Sequence, residues 1–170
     1  EGSFKTRPIR IVSYDILSRD TSARLLDEVV SRFKPSRVVI VCDEAHCLAD
    51  PSSTRTRRVL RFARANPEVR WVILSGTLLK RSVNDFAHLA ELALRERSPL
   101  PAAGVYGTRS LSHLASWSAC IDKRGRPSDD DWHTIAPLGR FIGADLSSMR
   151  GEARRSAARR AFAERLRTAP

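Results

Sequence analysis

The sequence predicts an α/β fold in which a parallel sheet is flanked by helices. Three short apolar segments typical of β-strands alternate with segments whose apolar residues recur at helical spacing. Strands that alternate with helices in this way form parallel sheets. The chain has 170 residues and is 42% apolar. It can therefore bury one domain's core, and a wholly disordered chain is excluded.

The first half of the chain carries the strand signals. Residues 9–13 (IRIVS) predict a first short strand. Residues 38–42 (VVIVC) are apolar and mostly β-branched, which predicts a strand buried on both faces. Residues 71–74 (WVIL) predict a third buried strand. Two helices separate them, with apolar positions Leu25, Leu26, Val29, Val30 and Phe33, and then Val59, Leu60, Phe62 and Ala63.

The second half is mostly helical in its pattern. Apolar residues at helical spacing predict a strong helix over 83–97 and a weaker one over 111–121. Prolines, glycines and charges predict loops over 98–110 and 123–131. The arginine-rich residues 150–170 have a narrow apolar stripe at Ala158, Phe162 and Leu166. This tail is either a nucleic-acid-binding helix or the solvated face of a linker helix, and the linker is the favoured interpretation.

Charge and composition narrow the class of protein. Lysine and arginine total 30 against 19 acidic residues, so the formal net charge is +11. That balance favours a polyanionic partner, nucleic acid first, over a merely solvated basic surface. No apolar run is long enough for a transmembrane helix or a signal peptide, so we expect no membrane association. Three scattered cysteines predict no disulfide framework and a cytoplasmic setting.

Two adjacent carboxylates, Asp43 and Glu44, follow the second predicted strand, and His46 comes shortly after them. Parallel sheets bind ligands beyond the carboxyl ends of their strands. In phosphoryl transfer from a nucleotide, one carboxylate holds Mg²⁺ and a neighbouring one can polarise the attacking water. The alternative is that Asp43 and Glu44 are ordinary acidic surface residues after a strand and have no catalytic role.

A second polar motif follows the third predicted strand. Ser75, Gly76 and Thr77 supply two hydroxyls and a flexible turn. Such a loop suits hydrogen bonds to the acidic motif or to a phosphate. If the two strands are parallel neighbours, both motifs lie at one edge of the sheet.

The segments VVIVCDEAH and WVILSGT resemble motifs II and III of superfamily 2 helicases and translocases, of the Swi2/Snf2-like and phage-type DEAH-box group. The resemblance covers about residues 9–90 and implies a RecA-like P-loop NTPase fold. It implies ATP and Mg²⁺ as cofactors, with Asp43 coordinating Mg²⁺ and Glu44 positioning the hydrolytic water. His46 would link the nucleotide site to motif III.

The resemblance also implies roles outside the acidic motif. Ser75 and Thr77 would transmit the nucleotide state to the DNA-binding face, and Gly76 would permit the turn between them. Residues 11–15 (IVSYD) are similar to a motif that touches the nucleic-acid backbone in relatives, which implies contacts from Ser13 and Tyr14. The full-length parent would be an ATP-dependent DNA helicase or translocase.

The chain departs from the family pattern, and the missing phosphate loop suggests that it is a fragment of a longer protein. Leu78 stands where relatives have proline, Arg81 stands where an asparagine is usual, and no Gly-x-x-x-x-Gly-Lys loop occurs. We expect a partial first RecA-like ATP-binding domain over 1–97, incomplete at its N-terminus. A helical insertion or subdomain would follow over 98–149, and a basic linker helix over 150–170 would lead to a second RecA-like domain. Alone, the chain should be inactive.

Other interpretations stay open. The chain could be a non-catalytic basic nucleic-acid-binding module on a degenerate ATPase fold, or part of another P-loop family. The group Cys42, His46 and Cys47 suggests zinc, but buried thiols and a scattered histidine fit the spacing better. Trp117 and Trp132 could stack on bases beside Arg124 and Arg126, although packing is the commoner role.

Overall fold

The computed structural model describes residues 9–22, 24–76, 82–107 and 111–169. It is a mixed structure, mostly helical, with a two-stranded parallel sheet. The elements in chain order are α1 (Tyr14–Ser18), α2 (Leu25–Val30), β1 (Val39–Cys42), α3 (Thr54–Ala65), β2 (Arg70–Ile73), α4 (Asn84–Leu94), α5 (Leu111–Ile121), α6 (Asp129–Ile135) and α7 (Gly151–Arg167).

The sheet consists of β1 and β2, which are joined by α3 in a β-α-β unit. They run parallel, with Val39 opposite Arg70 and Cys42 opposite Ile73. The prediction that these two strands are parallel is confirmed. The prediction of a strand over residues 9–13 is wrong. Residues 9–13 precede α1, and no described strand pairs with their backbone. A strand is stable only within a hydrogen-bonded ladder.

The residues that the structure describes cover only one face of the sheet. Val39 and Val41 are 53% and 56% exposed, and Val72 and Leu74 are 40% and 47% exposed. The predicted burial of both faces is therefore wrong. An apolar, β-branched run reports a preference for the extended backbone, but burial also needs a layer packed on each side. In the described chain, helices provide that layer on one side.

The covered face packs against α3 and α4. Trp71 of β2 is buried and meets Phe62 of α3 edge-to-face, with ring centroids 6.2 Å apart. Leu89 and Leu92 of α4 belong to the same apolar cluster. The helix α3 begins where the Ser53 side chain accepts a hydrogen bond from the backbone of the first turn. This cluster supports the strand ends that carry the polar motifs.

A second apolar cluster lies among α4, α5, α6 and α7. Trp117 and Trp132 are buried in it, 7% and 8% exposed, so both tryptophans pack in the core. The apolar stripe of α7 contributes Ala158 and Phe162. The helix α6 begins at Asp129, inside the predicted 123–131 loop, because Ser128 and Asp131 form a reciprocal capping box. The predicted domain boundaries stay predictions.

Candidate functional site

The acidic pair occupies a tight turn directly after β1. Glu44 has a left-handed backbone (φ 50°, ψ 47°), which is uncommon for a residue other than glycine. The Oδ1 atom of Asp43 accepts a hydrogen bond of 3.0 Å from the backbone N–H of Glu44. Both residues are exposed. The turn therefore presents two carboxylates to solvent at the carboxyl end of the strand.

The ends of the two strands are joined by backbone hydrogen bonds. The N–H of Leu74 donates to the carbonyl of Cys42 at 2.9 Å, and the N–H of Ala45 donates to the carbonyl of Leu74 at 2.9 Å. Ser75 and Gly76 follow at the same edge of the sheet as the acidic turn, as the sequence predicts. Thr77, Leu78 and Arg81 lie outside the described residues. The chemical roles of these residues stay predictions.

His46 belongs to the 3₁₀-helix Ala45–Leu48 and lies beside Glu44. Its Nδ1 atom lies 3.0 Å from Oε2 of Glu44, within ion-pair distance, although the angles do not meet those of a hydrogen bond. The two side chains are 34% and 63% exposed. The imidazole can therefore restrain the Glu44 carboxylate while that carboxylate remains open to solvent.

Tyr14 is tied to the acidic turn. Its hydroxyl donates a hydrogen bond of 2.7 Å to the backbone carbonyl of Asp43. Burial raises the pKa of Tyr14 far above its ordinary value, with a smaller contribution from Cys42. Ser13 accepts a hydrogen bond from the backbone N–H of Ile16 and so caps α1. The predicted nucleic-acid contacts of Ser13 and Tyr14 stay predictions, and both residues also hold α1 in place.

A buried anchor that the sequence did not reveal lies under the acidic turn. The carbonyl of Leu48 accepts hydrogen bonds from Nε2 of His88 at 2.8 Å and from Oγ1 of Thr56 at 3.2 Å. Burial lowers the pKa of His88, partly offset by its bond to Leu48. The 3₁₀-helix is thereby fastened to α3 and α4. A single histidine in an apolar helical pattern carries no signal of this role.

The donor set at this edge suits a hard cation only in part. Carboxylate oxygens are the ligands Mg²⁺ prefers, and Asp43 and Glu44 supply them. Within the described ranges, no group of three or more His, Cys, Asp or Glu residues could hold a metal ion. Burial raises the pKa of the Cys42 thiol to about 11, so it stays protonated near neutral pH. A cation here would need further oxygens from a bound ligand.

Some of the arginine side chains bind backbone carbonyls within the fold. Several arginine side chains donate hydrogen bonds to backbone carbonyls of loops and helix ends, namely Arg58, Arg64, Arg95, Arg155, Arg159 and Arg165. Arg58, for example, donates to the carbonyl of Leu17 at 2.8 Å and pairs with Asp20 at 3.0 Å. These guanidinium groups keep their positive charge, so the net charge of +11 still favours a polyanion, but the N–H groups already bonded to carbonyls are less available to it.

Comparison with protein-family models, curated proteins and solved structures found no match to this chain. The resemblance to superfamily 2 helicases thus depends on the two motifs and their placement. Among the helices described, none is long and apolar enough to cross a membrane.

Proposed function

We propose that this chain contributes the acidic site of a RecA-like, superfamily 2 type ATPase that acts on DNA. One observation supports the proposal above the others. Hydrogen bonds between the ends of β1 and β2 bring the Asp43-Glu44 turn and the Ser75-Gly76 segment to one edge of a parallel strand pair. That edge is where parallel sheets bind nucleotides.

In this proposal the residues have distinct roles. Asp43 holds the Mg²⁺ of MgATP through water, and Glu44 orients the water that attacks the γ-phosphate. His46, 3.0 Å from the Glu44 carboxylate, restrains that carboxylate. Ser75 and Gly76, with Thr77, respond to the bound nucleotide. Bound MgATP supplies the metal and the phosphate oxygens that complete the site. The phosphate-binding loop and the second RecA-like domain would belong to a longer parent protein in the cytoplasm.

The test compares this chain with the longest protein encoded by the reading frame that contains it. We expect no ATP turnover from the 170-residue chain alone, because the sequence has no Gly-Lys phosphate loop. The longer protein should show DNA-stimulated turnover. Glu44→Gln should lower its kcat by about 100-fold or more with little change in ATP affinity, since a general base contributes about that much. Asp43→Asn should raise the Mg²⁺ concentration required.

The matched control is Glu68→Gln, which makes the same charge change at an exposed glutamate before β2. Two results would contradict the proposal. One is turnover that survives Glu44→Gln. The other is a reading frame with no phosphate loop.

The second candidate is a non-catalytic basic nucleic-acid-binding module on a degenerate ATPase fold. The net charge of +11 together with the missing Gly-Lys loop favours it. In that case Asp43→Ala leaves DNA affinity unchanged, and neither the chain nor its parent hydrolyses ATP. Measurement of DNA affinity and ATP turnover on the same preparations separates the two functions.

A further inference from the structure

A shallow cleft lies far along the chain from the acidic turn, beside the first turn of α7. Its volume is about 500 Å³, within the range of small-ligand sites. The lining residues are Arg126, Pro127, Trp132, Gly151, Glu152 and Arg155. Two arginines oppose one glutamate, so the lining carries net positive charge.

The walls of the cleft are held in place. Arg155 donates a hydrogen bond of 2.8 Å from Nη2 to the carbonyl of Gly125. A Cβ atom at Gly125 would lie 2.1 Å from the carbonyl oxygen of Ala119, so this loop rests directly on the end of α5. The loop bearing Arg126 is therefore positioned before any ligand arrives, which reduces the entropic cost of binding.

A buried cation stands behind the cleft. Arg154 is 7% exposed, and its guanidinium lies 4.4 Å from the centroid of the Trp132 ring. Its Nε atom has no hydrogen-bond partner. Of the ion pairs found between described residues, none includes Arg154. Hydrogen bonds from the side chain and backbone N–H of Ser147 lower the pKa of the Asp145 carboxyl, and the charge of Arg154 also helps to lower it. The Trp132 ring and the Asp145 carboxylate offset part of the cost of burying this cation, and an anion bound in the neighbouring cleft would offset more.

The start of α7 adds hydrogen-bond donors to the same wall. The N-cap residue, Arg150, makes no side-chain hydrogen bond to the first turn. Gly151 and Glu152 belong to that turn, where backbone N–H groups have no partner within the helix and favour anions. Glu152 is the opposing charge, and its carboxylate lies 3.7 Å from Nη1 of Arg159. That ion pair partly neutralises Glu152, the lining residue whose charge would repel an anion.

We propose that this cleft binds a phosphodiester group of a nucleic-acid strand. Arg126, Arg155 and the first turn of α7 contact the phosphate, and Arg154 adds positive charge from behind Trp132. Trp132 is 8% exposed and Arg154 covers one face of its ring, so it offers little surface for base stacking. The cleft therefore recognises the backbone and not the bases. This proposal depends on the proposed function only in taking nucleic acid as the source of the phosphate.

The test measures binding of a fluorescein-labelled single-stranded oligo(dT) by anisotropy at several salt concentrations. Arg126→Gln should weaken binding about three- to tenfold at 0.1 M salt, and the slope of log K against log salt should become shallower by about 0.7. Arg124→Gln is the matched control, because it makes the same change two residues away in an exposed arginine that does not line the cleft. Its slope should stay as in the unmodified chain.

A site-specific readout follows the backbone amides of Gly151 and Glu152 by NMR. We expect both to shift when the oligonucleotide is added, and to shift weakly with inorganic phosphate alone. Equal losses in the two arginine variants, or unmoved amides during DNA binding, would overturn the proposal. Millimolar phosphate binding that the oligonucleotide does not displace would instead assign the cleft to a free phosphate compound. Both readouts follow DNA binding by the 170-residue chain, which we expect to have no ATP turnover, so failure of the ATPase proposal would be seen separately.

Discussion

Glu91 of α4 offers the sharpest test of how the two apolar clusters are held together. The side chain is 6% exposed. Its Oε2 atom accepts a hydrogen bond of 2.7 Å from the N–H of Ala103, and its Oε1 atom accepts bonds of 3.1 Å and 3.2 Å from Val105 and Tyr106. One carboxylate thus satisfies three backbone donors of the segment that follows α4. No sequence pattern marked this glutamate.

The perturbation is Glu91→Gln, which keeps the shape but replaces one acceptor oxygen with an NH₂ group. If the remaining oxygen faces Val105 and Tyr106, the N–H of Ala103 loses its acceptor. A hydrogen bond to a charged group is worth about 1.5–3 kcal/mol, and the other two bonds weaken because the charge is lost. We expect the free energy of unfolding to fall by about 3 kcal/mol, which a domain of ordinary stability survives.

The assay is urea denaturation followed by circular dichroism, with amide hydrogen exchange as a local readout. The amides of Ala103, Val105 and Tyr106 should exchange faster in the variant. Glu96→Gln is the control, since Glu96 is exposed and lies only five residues further along the chain. A loss below about 0.5 kcal/mol, no larger than that expected of a surface substitution, would refute the reasoning.

Two further predictions concern other parts of the fold. Burial lowers the pKa of His88 from 6.5, so as the pH falls His88 is protonated in the unfolded chain before it is protonated in the folded chain. The free energy of unfolding should therefore drop by up to about 1.4 kcal/mol per pH unit, from pH 6.5 down to the lowered pKa. Denaturation at pH 7.5 and 5.5 should show this loss of stability in the unmodified chain but not in His88→Gln. The same loss in both proteins would contradict its attribution to His88. On the open sheet face, Val41→Thr should change stability by less than about 0.5 kcal/mol and delay aggregation in light scattering. The same change at buried Val59 (2% exposed) should cost more than about 1 kcal/mol, and equal costs would show that the face is covered.

Helices were the most predictable part of the structure. Apolar spacing predicted α3, α4, α5 and α7 because a helix is defined by contacts between residues three or four apart. The start of α6 was missed, although its cap is equally local. Ser128 and Asp131 form a capping box, and the acidic run after Ser128 is typical of a first helical turn. That boundary could have been found from the sequence.

Two of the three predicted strands are present. Residues 38–42 and 71–74 indicated extended, apolar segments, and the chain order indicated that they run parallel; both β1 and β2 are present. Residues 9–13 have a similar composition but form no described strand. The difference is that a strand depends on a partner elsewhere in the chain, and composition does not reveal whether one is there. The exposure of Val39 and Val41 in β1 was likewise not predictable, because composition does not reveal whether another segment packs on that face.

The sequence by itself determined which chemistry the acidic turn can offer, since Asp43, Glu44 and the Ser75-Gly76 segment follow apolar strands in a predictable order. Only the tertiary structure decided what surrounds that turn. The Tyr14 hydroxyl reaches the Asp43 carbonyl across 29 residues, and His88 reaches Leu48 across 40. The tertiary structure also decided that Arg154 is buried and that Arg126 lines a cleft. Burial and long-range contacts arise from how distant segments pack together, and sequence periodicity records only neighbours within a few residues.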